Sequence, residues 1–461
     1  MSNIIASSNR CHAKKIRKEF NSTEALPFSN ILSSSVISQA IGEYEEEFRR
    51  RIFFLDITIW TFLSQVMSED QSLQGAVTRA IAFLINAGKP APSANTAAYS
   101  KARDRLPDEI LPTLAKDAGR ELEEQSQQDW LWRGRHVKLI DGSTLTMPDT
   151  AENQKEFPQP KSQSPGIGFP ISRVVGILSC ATGAVLEFTM GPYRGKGTGE
   201  HGLLREIIDT FQRGDIALGD SYYGSYFLYA QLISMGVDAV FPVHGSRDSD
   251  FRKGMRLGKK DHIVEWKKPV KPDWMDDEQY DSFPNTLLLR EVEVKIEQDG
   301  FKTETKVLVT TFTNPKKVLK EDLLGLYDKR WLVEIDFFAI KDTMQMGVLR
   351  SKTPPMIKKE VWAHILAYNL IRKVMAQAAV VHQKSPRKLS FKFALQIISN
   401  FRMAALFAEG DKEVYQIILY EISKKTIGNR PGRREPRVVK RRPKAFSRMQ
   451  KHRSLYKGSK R

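Results

Sequence analysis

Four polar residues in one segment without Gly or Pro have types that could serve a single charged site: Tyr327, Arg330, Glu334 and Lys341. The segment 327–341 predicts a helix, and at about 100° per residue the four side chains fall within about 60° of one another. A carboxylate flanked by cations on a partly buried face is costly without a partner. The pattern is typical of surface ion pairs, or of a helix that offers a metal ligand beside phosphate-binding cations.

Apolar residues in the same segment predict how this helix attaches to the protein. They border the polar stripe, and we expect them to dock the helix against a core. These residues are Trp331, Leu332, Ile335 and Phe338.

Two aspartates each end a short apolar run that predicts a buried strand. Asp141 ends the run 136–141, and Asp220 ends the run 215–220. The carboxyl ends of adjacent strands meet at one edge of a sheet, so we expect the two carboxylates to converge. Either aspartate alone is more often the cap of the turn that follows it. With Glu334 they favour a site for two Mg²⁺ or Mn²⁺ ions, which suit phosphoryl transfer.

Other kinds of active site have no support in the sequence. The HxxxH, CxxC, GxxxxGK[ST] and GxSxG patterns are absent, which argues against zinc hydrolases, P-loop proteins and serine hydrolases. Cys11 and Cys180 lie far apart, which argues against a disulfide framework. No apolar run is long enough to cross a bilayer, and the N-terminus does not resemble a signal peptide. These features predict a cytoplasmic protein.

Charge points to a polyanionic partner. The net charge is +18 and the pI about 9.6. The stretch from Lys424 to Arg461 contains 16 Lys or Arg residues and one acid, Glu435. Such a tail is often a solvated extension, but in a chain this basic a nucleic-acid partner is at least as plausible.

The hydropathy pattern divides the chain into regions of different structural type. Helical periodicity dominates near the N-terminus, strands alternate with helices from Trp130, and a second helical region follows the 327–341 segment. This order predicts an α/β protein with a mixed sheet. The expected regions are a basic arm at 1–32, a helical domain at 33–125, an α/β domain at 130–244 and 307–380, a β-rich insertion at 245–306, and a helical, basic C-terminal region at 381–461.

The helical domain 33–125 contains a short basic helix, predicted over 96–105, with Lys101, Arg103 and Arg105. A compact helical unit with such a helix is typical of DNA-reading modules. Small helical domains without this role are equally common, so both interpretations stay open at this point.

The Y-x2-R-x3-E-x6-K pattern at Tyr327, Arg330, Glu334 and Lys341 resembles the signature of the insertion-sequence-four family of bacterial DDE transposases. The segments 139–144, around Asp141, and 217–224, around Asp220, resemble the family's two aspartate motifs, and 362–372 resembles its next helix. The likeness covers about residues 135–375.

The resemblance implies an RNase H-like catalytic domain with a β-strand insertion between the second aspartate and the glutamate. It implies Asp141, Asp220 and Glu334 as catalytic metal ligands, and Tyr327, Arg330 and Lys341 as contacts to the DNA backbone. Family members cut DNA by water attack and then by attack of the freed 3′-hydroxyl, often through a hairpin. In some members a tryptophan stacks on a flipped base, and the candidates here are Trp266, Trp274 and Trp331.

The expected function is therefore cut-and-paste transposition of an insertion sequence in the bacterial cytoplasm, at the nucleoid. The expected partners are double-stranded DNA, as terminal inverted repeats and target, and a second copy of the chain in a homodimer that holds both ends. Two alternatives remain: a metal-dependent nuclease or resolvase without strand transfer, and a DNA-binding protein with a decayed site.

Overall fold

The computed structural model describes residues 34–42, 44, 52–86, 90, 92–195, 197–296, 304–407 and 411–427. The predicted arm 1–32 and the basic tail beyond 427 lie outside these residues. The chain is a mixed α/β protein, as predicted, with two compact units. The first holds the described residues up to 125 and those of 338–427, and the second holds 126–337. In the described ranges, no helix is long and apolar enough to cross a membrane.

Among the described residues up to 125, the first unit has five helices: α1 (Ser34–Gly42), α2 (Leu55–Val66), α3 (Leu73–Asn86), α4 (Ala97–Arg105) and α5 (Ile110–Glu124). Helix α2 is buried along most of its length, because residues on all of its faces are apolar or bond to backbone carbonyls. Part of the core lies between α2, α3 and α4, where Val77 and Tyr99 are fully buried.

Helix α4 presents a smaller basic surface than the sequence predicts. Arg103 is buried, with its guanidinium 4.9 Å from the ring centre of Phe62. Its Nη1 also donates a 3.3 Å hydrogen bond to Oε1 of Gln65. Arg103 therefore belongs to the helical core and does not contribute to the exposed surface of α4, because its guanidinium packs on Phe62 and donates to Gln65. Lys101 and Arg105 are exposed.

The second unit is built on one nine-stranded sheet. In chain order its elements are β1 (Val137–Thr146), α6 (Ala151–Glu156), β2 (Ile171–Ser179), β3 (Val185–Pro192), α7 (Glu200–Glu206), β4 (Ile216–Leu218), α8 (Tyr226–Ser234), β5 (Asp238–Pro242), β6 (Met255–Gly258), β7 (Asp261–Lys267), α9 (Asp277–Ser282), β8 (Thr286–Ile296) and β9 (Glu304–Thr310). The strand order is β3-β2-β1-β4-β5-β9-β8-β7-β6. Strands β1, β4 and β5 run parallel, and all other neighbouring pairs run antiparallel.

The strands predicted as a β-rich insertion continue this sheet. Strand β9 pairs with β5 on one side and with β8 on the other, so it joins the two halves. Strands β8 and β9 pair with each other in antiparallel register, and the residues that connect them, 297–303, lie outside the described residues. A buried ion pair fixes β7 and β8 to each other: Arg290 donates to Asp261 at 2.8 and 2.6 Å, and to the carbonyl of Val318 at 2.7 Å.

The segment 327–341 is not the uniform helix that its sequence predicts. Helix α10 (Lys320–Tyr327) leads into a 3₁₀ turn at Asp328–Arg330, then α11 (Trp331–Phe338), then a π-helical segment at Ala339–Thr343. Because 3₁₀ and π turns change the angle per residue, side chains do not follow one stripe at 100° spacing. The predicted docking surface is wrong in part, since Trp331 and Phe338 are exposed while Val333 and Phe337 are buried.

Three further helices complete the first unit: α12 (Pro354–Val381), α13 (Phe391–Phe407) and α14 (Asp411–Lys424). Helix α12 is buried for most of its length and packs against α5 and α2. Polar contacts reinforce this packing, because Asn369 donates to the carbonyl of Ala115 at 2.9 Å and Lys373 pairs with Glu121 at 2.6 Å.

Candidate active site

The strand register brings Asp141 and Asp220 to the same edge of the sheet. Strands β1 and β4 are parallel with Leu139 opposite Leu218, and each aspartate lies two residues beyond its leucine. Strand β1 runs on to Thr146, so Asp141 lies within the strand rather than at its end, which corrects the sequence prediction. The predicted convergence is nevertheless present, and the charge of Asp220 acts on Asp141.

Asp141 is the most perturbed carboxylate of this edge. Burial raises its pKa to about 7, and the charges of Asp220 and Glu200 act in the same direction. The backbone N–H of Gly142 donates to Oδ1 at 2.8 Å, which together with Arg330 opposes the rise. A carboxyl group that ionises near neutral pH among other carboxylates favours a nearby cation.

Asp220 also has the capping role that its local sequence predicts. Its Oδ1 accepts a 2.8 Å hydrogen bond from the backbone N–H of Tyr222, at the start of the 3₁₀ turn Ser221–Tyr223. This bond uses one carboxylate oxygen and fixes the side chain at the sheet edge. The cap and a functional role are therefore compatible.

Glu334 bonds to its signature neighbour. Nη2 of Arg330 donates a 2.6 Å hydrogen bond to Oε1 of Glu334, one helical turn away. Burial acts to lower the pKa of Arg330, but the bond to Glu334 and the nearby charges outweigh it, so the pKa is raised. The charges of Arg330 and Asp141 also act on each other, which connects Glu334 through Arg330 to the sheet edge.

Tyr327 supports Arg330 from the buried side. Its side chain is only 4 % exposed, and burial raises the pKa of its hydroxyl while Arg330 and Lys306 oppose that rise. The ammonium of Lys306 lies 5.8 Å from the ring centre. Lys341 lies in the π-helical segment of the first unit, where its carbonyl accepts from the N–H of Gly347 at 3.0 Å.

The donor chemistry of the site fits a hard divalent cation. Asp141, Asp220 and Glu334 offer only carboxylate oxygens, which Mg²⁺ and Mn²⁺ prefer. A cation beside Asp141 would offset the effects that raise its pKa. Among the described residues, no three His, Cys, Asp or Glu side chains are grouped so that they could hold an ion. We therefore expect Glu334 to give up its hydrogen bond to Arg330 when it coordinates a divalent ion together with Asp141 and Asp220.

Two residues near the aspartates were not predicted from the sequence. Glu200, the first residue of α7, lies against Gly142, and the hydroxyl of the buried Tyr223 lies 3.3 Å from its Oε2. Burial raises the pKa of Glu200, and the charge of Asp220 adds to the effect. In the sequence, Glu200 is visible as an acid at the start of the helix that precedes β4. Its spacing along the chain does not relate it to Asp141, so the sequence did not identify it as a site residue.

The three tryptophan candidates differ in accessibility. Trp266 is 3 % exposed, and its Nε1 donates to Glu291 at 2.9 Å, so it belongs to the buried core and is not accessible to a base. Trp274 is 44 % exposed, with the guanidinium of Arg205 3.7 Å from its ring centre. Trp331 is 50 % exposed and directly follows Arg330 in the chain.

Comparisons with known proteins identify the family of this chain. The family model described as "Transposase DDE domain" matches residues 132–370, which include the four signature residues and both aspartates. The transposase InsG of insertion sequence element IS4 from Escherichia coli (strain K12) is 26% identical over 425 residues, covering 89% of this chain and 91% of that protein.

Among solved structures, the chain is similar to a piggyBac transposase synaptic complex with hairpin DNA. The TM-score is 0.44 at 12% identity, over 86% of this chain and 84% of that one. The family match spans more than half of the sequence and contains both aspartates and the signature. The chain therefore belongs to the DDE transposases of the insertion-sequence-four family, enzymes that cleave DNA and transfer its strands.

Proposed function

We propose that this enzyme carries out cut-and-paste transposition, acting on the inverted terminal repeats of its own insertion sequence. The main support is the matched register of Asp141 and Asp220 on parallel strands, together with the bond between Arg330 and Glu334. This arrangement places three acids and one cation of the motifs within the second unit. The RNase H-like character of the sheet, with residues 245–306 as its insertion, is part of the same proposal.

Asp141, Asp220 and Glu334 would hold two Mg²⁺ or Mn²⁺ ions. Two such ions would supply an activated attacking oxygen and a stabilised leaving oxygen for phosphoryl displacement. The chain's own contribution is positioning: the sheet register fixes Asp141, and the Tyr222 amide fixes Asp220. Glu334 approaches from a helix and can move, since its side chain is 38% exposed.

Arg330 would neutralise a DNA phosphate near the cleaved bond. Its guanidinium can exchange the Glu334 carboxylate for a phosphate, because each of these groups offers two oxygens that accept hydrogen bonds from two guanidinium N–H groups. Tyr327 would keep that guanidinium in place from its buried position. Lys341 would add a second backbone contact, as the family signature implies.

The DNA ends would be recognised outside the catalytic sheet. The helical region 33–125 is the proposed end-binding domain, and Lys101 and Arg105 are exposed cations on its helix α4. The basic tail would add contacts to DNA that carry no sequence information. A homodimer would hold the two ends of the element together, at the bacterial nucleoid.

The decisive experiment is an end-cleavage and strand-transfer assay with the full chain. Substrates carry the short inverted repeats that flank its reading frame, and products are separated on denaturing gels with Mg²⁺ or Mn²⁺. Asp220→Asn and Glu334→Gln should lower cleavage by roughly 100-fold or more, as expected when a metal ligand is lost. Both variants should still bind the ends in a gel shift.

Glu265→Gln is the matched control, because Glu265 is an exposed acid of β7 with a similar change in charge. It should cleave at the wild-type rate. Cleavage by Asp220→Asn at that same rate would refute the proposed site. Cleavage without strand transfer from a 3′-hydroxyl end would instead support a nuclease, and complexes with a single chain would refute the dimer.

A further inference from the structure

Gly142 leaves space that the side chain of Glu200 occupies. A Cβ atom at position 142 would lie 2.4 Å from Cδ and 2.7 Å from Oε2 of Glu200. Real Cβ atoms do not approach so closely, so any other residue at 142 would displace the Glu200 carboxylate. The glycine directly follows Asp141 on β1, and Glu200 therefore reaches the edge of the sheet beside the first aspartate.

Two other contacts hold Glu200 at this place. The hydroxyl of Tyr223 lies 3.3 Å from its Oε2, and Tyr223 belongs to the 3₁₀ turn that Asp220 caps. Helix α7 is anchored by Leu203 and Leu204, which are 3% and 1% exposed. Glu200 thus lies between the strand that carries Asp141 and the turn that begins with Asp220.

Glu200 and Glu334 differ in how a cation interacts with them. Arg173 acts on its charge, but Nη1 of Arg173 donates at 2.8 Å to the carbonyl of Thr198. Glu334, by contrast, has a charged hydrogen bond to Arg330. The carboxylate of Glu200 is therefore available to a cation at the sheet edge without first breaking an ion pair.

We infer that Glu200 is a fourth carboxylate of the active site, which closes on a divalent ion together with Asp141 and Asp220, and that Gly142 provides its space. Among the described residues these three side chains are not grouped as an ion site, so ion binding has to draw them together. The inference rests on the proposed function, because it assigns a further residue to the same ion site. It adds to the aspartate–aspartate–glutamate set of the motifs a residue from the helix between β3 and β4. The other role open to Glu200 is purely structural, as acceptor for the Tyr223 hydroxyl.

Mn²⁺ binding to the full chain without DNA distinguishes these roles, because it requires no turnover. Free Mn²⁺ is measured by electron paramagnetic resonance during titration. Glu200→Gln retains the shape and an acceptor for Tyr223 but removes the charge, and we expect it to weaken Mn²⁺ binding about 10-fold. Asp220→Asn serves as the reference for loss of a ligand. Glu206→Gln is the control, since this acid of α7 accepts from Thr189 at 2.8 Å instead.

Substitutions at 142 test the geometry independently. Gly142→Ala should weaken Mn²⁺ binding in the same direction as Glu200→Gln, because the new methyl group displaces the carboxylate. In a Glu200→Ala background, where the space is empty, Gly142→Ala should cause no further loss. Circular dichroism and thermal unfolding establish that each variant is folded, and only folded variants enter the comparison.

The outcomes separate this inference from the proposed function. Wild-type Mn²⁺ affinity in Glu200→Gln, with weakened binding in Asp220→Asn, would overturn the role of Glu200 and leave the proposed function intact. Unchanged affinity in both variants would overturn the ion site as a whole. Equal effects of Glu200→Gln and Tyr223→Phe on thermal unfolding, without an effect on Mn²⁺ affinity, would assign Glu200 to structure alone.

Discussion

Nη2 of Arg330 lies 2.6 Å from Oε1 of Glu334, so two residues of the transposase signature bond to each other. The Arg330 side chain is 17% exposed and that of Glu334 38%. This pair neutralises the carboxylate that we propose as a metal ligand. Its partial exposure leaves both groups accessible to the partners that we propose for them, a phosphate and a cation.

Replacing Arg330 should weaken DNA binding in a salt-dependent way. If Arg330 contacts one phosphate, Arg330→Ala should reduce the slope of log affinity against log salt concentration by about one. Arg330→Lys retains the charge, so it should keep the slope while cleavage still falls, because an ammonium cannot form the same fork of hydrogen bonds. Titrations of labelled end DNA at several KCl concentrations measure this, and an unchanged slope in Arg330→Ala would contradict the phosphate contact.

Trp331 is the tryptophan that we expect to stack on a flipped base. Trp331→Ala should slow hairpin formation by roughly 10- to 100-fold, since stacking of a base on an aromatic ring contributes about 1–3 kcal/mol. The first nick should be unaffected. Denaturing gels resolve the nicked and hairpin products.

Trp274→Ala is the matched control for this prediction, because Trp274 has a similar exposure of 44%. A loss of hairpin in Trp274→Ala, with normal hairpin in Trp331→Ala, would reverse the assignment. Trp266 is too buried to serve as a control, and its replacement should lower stability.

The buried pair of Arg290 and Asp261 should be important for stability. Arg290→Ala leaves Asp261 without its partner in a buried site, which should lower the free energy of unfolding by about 3–5 kcal/mol. The double variant Arg290→Met/Asp261→Leu should recover most of this loss, because no buried charge remains. Thermal unfolding and limited proteolysis of the second unit measure both effects.

Arg252→Ala is the control for that pair, since Arg252 forms an ion pair with Asp250 at the surface. It should leave unfolding nearly unchanged, because water screens exposed pairs. Equal destabilisation by Arg252→Ala and Arg290→Ala would mean that burial is not the cause.

His364 should make the first unit sensitive to acid. Burial lowers its pKa from 6.5 to about 3, with a further contribution from Arg350. The unfolded chain therefore binds a proton below about pH 6.5 that the folded chain does not, so stability should fall as the pH decreases from there towards about 3.

Through this one proton, the free energy of unfolding should fall by at most about 1.4 kcal/mol for each pH unit of acidification. His364→Gln, which does not titrate, should remove that part of the pH dependence. Thermal unfolding between about pH 4.5 and 7 provides the comparison. The same pH dependence in wild type and variant would show that other groups are responsible.

Local patterns in the sequence were sufficient for much of the sheet. The apolar runs before Asp141 and Asp220 identified strands that the structure contains. Strands can be recognised in a sequence because side chains alternate between two faces of the sheet, and each face has its own polarity. The family signature added the residues that we propose for the site, since its spacing is a property of the chain itself.

Tertiary packing decided what these patterns could not. The segment 327–341 contains a 3₁₀ turn at Asp328–Arg330 and ends in a π-helical segment, so its polar residues do not follow one stripe. Packing also decided which of its apolar residues face the core: Val333 is buried and Trp331 is exposed. Arg103 belongs to the core because Phe62 and Gln65 lie beside it in space. Such contacts depend on neighbours distant in sequence, which a uniform period does not encode.

The sequence by itself determined the strands, the two aspartate motifs and the spacing that marks a DDE transposase. Only the tertiary structure placed Glu200 in the space beside Gly142 and joined the predicted insertion to the central sheet through β9. The physical reason is that a motif is defined by residue types and their spacing along the chain, which the sequence contains directly. A carboxylate's neighbours across a sheet edge depend instead on register and on space left by a missing Cβ, and both arise only when the chain packs.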